Sequence, residues 1–218
     1  MLSTKLIRWS GLALLLAGVL IAIPILLHPD ETADPMAVLG SSWLIIHTIF
    51  IIGDILSLFG LVGLYTRQAQ ATGRLGLIGF ILALIGSALF VGVLTIDSYV
   101  IPVLAANPAT QPLLDEAGPL FGGPLGLIFM SAGVTFALGT LLTGITLLRG
   151  GVLPRWAGLL LLIGGPLLAF SPPLPHLVGT VGGVLLGASY IWLGYALRFN
   201  PVEQARQPHQ TAPSISPS

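Results

Sequence analysis

Six long apolar stretches, with every lysine and arginine between or beyond them, leave this chain one broad way to fold. They cover residues 9–27, 43–65, 75–97, 121–148, 153–170 and 176–197. Crossing about 30 Å of hydrocarbon takes roughly 20 apolar residues in a helix, and each stretch approaches or meets that length. The runs are continuous, whereas a membrane β-barrel needs short segments of alternating character. Lys5, Arg8, Arg67, Arg74, Arg149, Arg155, Arg198 and Arg206 fall only at the N-terminus, in every second connection and at the C-terminus. Asp30, Glu31, Asp34, Asp97, Asp115 and Glu116 fall in or beside the alternate connections. Cytoplasmic loops retain Lys and Arg. The sequence therefore predicts an all-α polytopic bundle of six transmembrane helices with both ends cytoplasmic.

Composition agrees. The chain is 55% hydrophobic and 7% charged, with a mean hydropathy of +0.98, which is too few charges to cover a soluble surface. Net charge is zero, so no global field attracts nucleic acid, and the expected surroundings are the lipid bilayer. Cysteine is absent, which excludes disulfides, iron–sulfur clusters and thiolate-bound zinc. Lys5 and Arg8 before an apolar run imitate a secretory signal. That run is longer than a usual signal core, however, and no small-residue cleavage site follows it, so a retained first helix is expected.

The fifth stretch is the shortest and is interrupted by Gly164-Gly165-Pro166. It must still cross if Arg155 and Arg198 are to share a side. Trp9, Tyr65, Trp156, Trp192 and Tyr195 mark the inner interface, and Trp43 and Tyr99 the outer one, as amphipathic rings prefer. Residues 1–198 thus form the membrane domain. Residues 199–218, rich in proline and without apolar periodicity, are expected to be a disordered cytoplasmic tail. Helices two and three read like a hairpin repeated as four and five: Gly63-Leu64-Tyr65-Thr66-Arg67 and Arg74-Leu75-Gly76 correspond to Gly144–Arg149 and Arg155-Trp156-Ala157-Gly158. The bland reading is that any inward helix end favours glycine, aliphatics and arginine.

This organisation resembles uncharacterised six-helix bacterial membrane proteins grouped under domains of unknown function. The residues that carry the resemblance are His28-Pro29, Trp43 with His47, the Gly63–Arg67 closure and Leu153-Pro154-Arg155-Trp156-Ala157-Gly158. It implies location in a bacterial cytoplasmic membrane and no activity.

Asp54 is the chemical outlier, near the middle of the second stretch. A carboxylate at that depth is costly unless neutral, paired or hydrated, and no Lys or Arg lies within any stretch to pair with it. Ser87, Ser131, Thr135, Ser189 and Tyr190 sit near the midpoints of other helices. Asp54 with His47, Ser87, Thr135 and Tyr190 is therefore a candidate proton or cation site. The structural alternative is a neutral acid holding two helices together by one hydrogen bond. His47 shares a helix face with Asp54, roughly 10 Å away along the axis. It serves either as an outer relay group or as an interfacial histidine bonded to a carbonyl. His28, His47, Asp97 and His176 all fall near the outer surface, and such donors suit a metal, although they lack any characteristic ligand spacing. Gly179, Gly183 and Gly187 recur every fourth residue, a small-residue stripe for close helix packing. No cofactor is predicted.

These features favour a non-catalytic membrane subunit, sensor or scaffold that engages a membrane-protein partner or a second copy. A proton, cation or small-solute transporter using Asp54 is the alternative. A metal-dependent enzyme at the outer face is the third class.

Overall fold

The computed structural model describes residues 2–31, 33–115, 118–172 and 174–199. The tail expected at 199–218 lies outside them except for Phe199, which is helical. Among the described residues there is no strand. The helices are α1 (Leu2–Leu26), α2 (Ser41–Tyr99), the short α3 (Ile101–Ala105), α4 (Pro124–Gly150), α5 (Arg155–Ala169) and α6 (His176–Phe199), with 3₁₀ turns at Pro35–Leu39 and Gln111–Leu114. Four helices are long and apolar enough to cross a membrane, and α5 is a shorter apolar helix.

The element α2 is two helices in one. A straight helix of 59 residues would run about 90 Å, yet its ends touch. The indole Nε1 of Trp43 donates to the Asp97 carbonyl at 3.0 Å, and the Thr48 and Tyr99 hydroxyls lie 3.0 Å apart. Tyr65 stacks on Phe80 with ring centroids 4.7 Å apart. The reversal occurs at Gly73, whose φ of 55° and ψ of −144° are open to glycine and little else. The polar residues 66–72, expected to form a connection, continue the first arm, so the turn is concentrated in one residue. Likewise α1 starts at Leu2, before Lys5 and Arg8, because long basic side chains extend along a helix end without breaking it.

Small residues set the packing. A Cβ on Gly60 would meet Leu14, and one on Gly63 would meet Ser10, so the first arm (41–72) lies against α1. The second arm (74–99) lies against α4, with Gly86 on the Phe136 backbone and Gly139 on the Ala83 backbone. Gly144 meets Gly158 and Leu162 between α4 and α5, and Gly164 meets Gly182 and Leu186 between α5 and α6. Gly18 meets the Gly187 carbonyl and Ile191, closing α6 back onto α1. Neighbours run antiparallel, so the helices form a ring in chain order that closes on itself. Alternation gathers Lys5, Arg8, Arg67, Arg74, Arg149, Arg155 and Arg198 at one end. His28, His47, Asp97 and His176 lie at the other.

The core is a cluster from all the long helices, including Leu14, Leu61, Leu64, Ala83, Phe136, Leu161, Leu186, Tyr190 and Leu193. The outward faces are equally apolar: Ile45, Ile52, Phe59, Ile78, Leu127 and Leu177 are exposed. A protein surrounded by water rarely shows so continuous an apolar surface, whereas lipid tolerates it.

Candidate functional site

Two polar centres interrupt the apolar interior, both anchored on the first arm of α2. The first is at the histidine end. His47 and Trp43 are one helical turn apart and both buried, and their rings lie 4.1 Å apart. The His47 Nδ1 sits 2.9 Å from the Trp43 carbonyl. A carbonyl only accepts, so this nitrogen carries the hydrogen. The His28 Nδ1 is tied in the same way to the Pro29 carbonyl at 2.8 Å. Both Nε2 atoms are thereby left as lone-pair faces in the neutral rings, and they face each other at 3.4 Å. The Asp97 carboxylate, brought in by the end of the second arm, lies 3.0 Å from the His47 Nε2.

His176, at the start of α6, stacks on His28 with centroids 5.8 Å apart. Glu31 lies 3.7 Å from the His28 Nδ1. Burial holds the His28 pKa below its usual 6.5; the nearby His47 and, more weakly, His176 push the same way, while Glu31 and the Pro29 hydrogen bond oppose them. The four residues proposed as metal ligands therefore share one end of the ring. Yet no group of three or more His, Asp or Glu among the described residues is arranged to hold a metal ion. One physical reason is His176, which presents its ring face, rather than a nitrogen lone pair, to His28.

The second centre lies two helical turns deeper. Asp54 is 7% exposed, and the Ser57 hydroxyl donates both to its backbone carbonyl at 2.8 Å and to its Oδ1 at 3.1 Å. Ser87 from the second arm and Tyr190 from α6 lie within electrostatic reach of the carboxyl. Of the neighbours expected from sequence, these two meet Asp54. Thr135 instead donates to the Ser131 carbonyl of its own helix, Ser131 is exposed and bonds Leu127, and Ser189 donates to the Ala157 carbonyl of α5 at 2.8 Å. Between the two centres stands Phe50, buried and in ring contact with both His28 (6.1 Å) and His47 (5.9 Å).

Several participants escaped sequence reasoning. Trp43, expected at the membrane interface, is buried at 3% exposure because its indole N–H finds the Asp97 carbonyl inside the ring. Its spacing of one turn before His47 was the available signal. Phe50 carried no signal beyond sharing the helix face of His47 and Asp54. The glycine stripe of α6 packs within the chain: Gly187 against Ala22 and Gly18, Gly183 against Ile25, and Gly179 against Ser171. Compared with known proteins, the chain matches no family model, no curated protein and no solved structure.

Proposed function

We propose that this chain is a non-catalytic membrane sensor that responds to protons at its histidine end. In this reading it crosses the bacterial cytoplasmic membrane six times, with both termini cytoplasmic. Support for the crossings comes from the hairpin at Gly73, which makes two antiparallel arms of α2, and from α5, which packs between α4 and α6. Support for the orientation is the collection of basic residues at one end, which becomes the cytoplasmic one. The histidine end then faces the outside.

A single observation carries the sensing role: two imidazoles fixed through their Nδ1 atoms, Nε2 to Nε2 at 3.4 Å, beside a carboxylate. With both rings neutral, lone pairs oppose each other and the Asp97 oxygen. One proton on the His47 Nε2 turns both contacts into attractions, toward Asp97 and toward His28. A second proton, on His28, sets two like charges against each other and drives the rings apart. The cluster joins the connection after α1, both ends of the α2 hairpin and the start of α6, so separating the rings loosens the whole outer end. Histidine is the side chain suited to such a change near neutral pH.

The test is Trp43 fluorescence in proteoliposomes, with Trp9, Trp156 and Trp192 replaced by phenylalanine. An indole in ring contact with His47 should report a transition as external pH falls from about 8 to about 5, and His28→Gln should abolish it. A flat signal across that range refutes the proposal.

A carrier using Asp54 is the second reading, favoured by the unpartnered polar atoms around that residue. Phe50 stands against it, since this buried apolar ring lies between Asp54 and His47 on their shared helix face. Unchanged proton or ion flux in proteoliposomes bearing Asp54→Asn would remove it.

A further inference from the structure

The deeper centre has a property that helix adhesion does not explain. Oδ2 of Asp54, Oγ of Ser87 and the hydroxyl of Tyr190 are all buried and all lack a hydrogen-bond partner. Their residues are 7%, 0% and 1% exposed, and they come from three separate segments: the first arm, the second arm and α6. Leaving one buried polar atom unpaired costs about 1–3 kcal/mol, and native interiors tolerate few. Three in one place call for a common cause.

Hydroxyls that glue helices bond one another or the nearest carbonyl, as Ser189 does across to α5. Ser87 lies close enough to the Asp54 carboxyl, and Tyr190 close enough to Ser57, for their side chains to interact, yet Oδ2, the serine Oγ and the tyrosine hydroxyl close no well-formed hydrogen bond. Oxygens that converge without closing well-formed hydrogen bonds among themselves are disposed as ligands around a shared positive centre. With Ser57 as a fourth neighbour, the set consists of hard oxygen donors, which suit hard cations and not soft ones. Its charge is fixed by one carboxylate with no Lys or Arg in the interior. A monovalent ion would neutralise it, whereas a divalent ion would leave a net charge in an apolar core, where it is strongly disfavoured.

We infer that Asp54, Ser57, Ser87 and Tyr190 form a buried binding site for a monovalent alkali cation of sodium type. The site is independent of proton sensing at the histidine end, which lies two helical turns away along the first arm of α2. It ties the hairpin of α2 to α6 through an ion, and occupancy should therefore stabilise the ring.

The experiment is thermal unfolding of the purified full-length protein in detergent at about pH 8, in sodium, lithium, potassium or choline chloride at equal ionic strength. Mass action predicts that sodium raises the melting temperature by about 5 °C over choline at saturation, with a dependence on its concentration. Asp54→Asn should abolish the increment, and Ser87→Ala should raise the sodium concentration needed by about tenfold. If Asp54→Asn does not fold, Tyr190→Phe carries the test by the same loss of affinity. His28→Gln should leave the increment in place, which separates this site from the histidine cluster. Equal melting in alkali and choline salts overturns the inference, as does an alkali effect that survives in Asp54→Asn and Tyr190→Phe. Stability that follows pH alone, with no ion dependence, also overturns it and leaves a protonated carboxyl.

Discussion

The closest backbone approach in the ring lies between the second arm of α2 and α4, and it makes a sharp test of the packing. A Cβ built on Gly139 would lie 2.1 Å from the Ala83 backbone nitrogen and 2.4 Å from its Cα. These are backbone atoms in a helix interior, so no side-chain rotation relieves the clash. On Gly92, in the same arm of α2, an added Cβ meets nothing within 4 Å. Replacing glycine by alanine in a helix gains about 1 kcal/mol of propensity at either position. At Gly139 that gain is outweighed by overpacking, which costs about 1–3 kcal/mol and more where backbones must separate. Gly139→Ala should therefore be destabilised by about 1–2 kcal/mol, and Gly92→Ala neutral or stabilised by up to about 1 kcal/mol. At roughly 2–4 °C per kcal/mol for a chain of this size, the two variants should melt about 2–12 °C apart. Thermal unfolding in one detergent, followed by circular dichroism, measures the difference. Because Ala83 is one turn from Ser87, the Gly139 variant should also weaken whatever the deeper polar centre binds. Equal melting temperatures would refute the close approach and the ring order built on it.

Other outcomes follow from single contacts. His28 has its pKa held below 6.5 by burial, with His47, His176, Glu31 and Asp97 as its charged or titratable surroundings. Between that lowered value and 6.5 the unfolded chain binds more protons than the folded one, so stability is full above 6.5 and declines as pH falls through the window. Melts over that range should show the decline, and His28→Gln should flatten it. Trp43→Phe removes the indole donor to the Asp97 carbonyl and should cost about 1 kcal/mol, read as a lower melting temperature with unchanged helix content. Gly73→Ala forces a side chain onto φ 55°, ψ −144° with open space around it. Its cost of roughly 1–3 kcal/mol should come from backbone strain alone.

Much of the helical plan is legible in the sequence. Continuous apolar runs announce helices whatever their partners, and α4 and α6 begin and end within three residues of their expected bounds. Their ends are marked by Pro124, Arg149, His176 and Arg198, which act locally. The turn at Gly73 was hidden because Thr66-Arg67-Gln68-Ala69-Gln70-Ala71-Thr72 is polar without breaking a helix, and hydropathy cannot tell a loop from an exposed helical turn. The ring order was hidden too, since glycines and alanines on several faces permit many pairings. For the deeper centre, depth alone singled out Asp54, Ser87 and Tyr190. Depth does not specify helix rotation, so Thr135 could not be told from them; it belongs to α4, and its hydroxyl bonds its own helix. At the histidine end the four residues could be placed at one level. The tautomers that give the cluster its chemistry depend on carbonyls of Trp43 and Pro29, which no residue pattern reveals.

The closure of α6 onto α1 also makes α6 the element on which both polar centres depend. His176 stacks on His28, and Tyr190 lies within electrostatic reach of Asp54, so each centre draws one member from this helix. Among the described helices α6 comes after every other contributor in the chain. Neither centre is therefore assembled until the ring has closed.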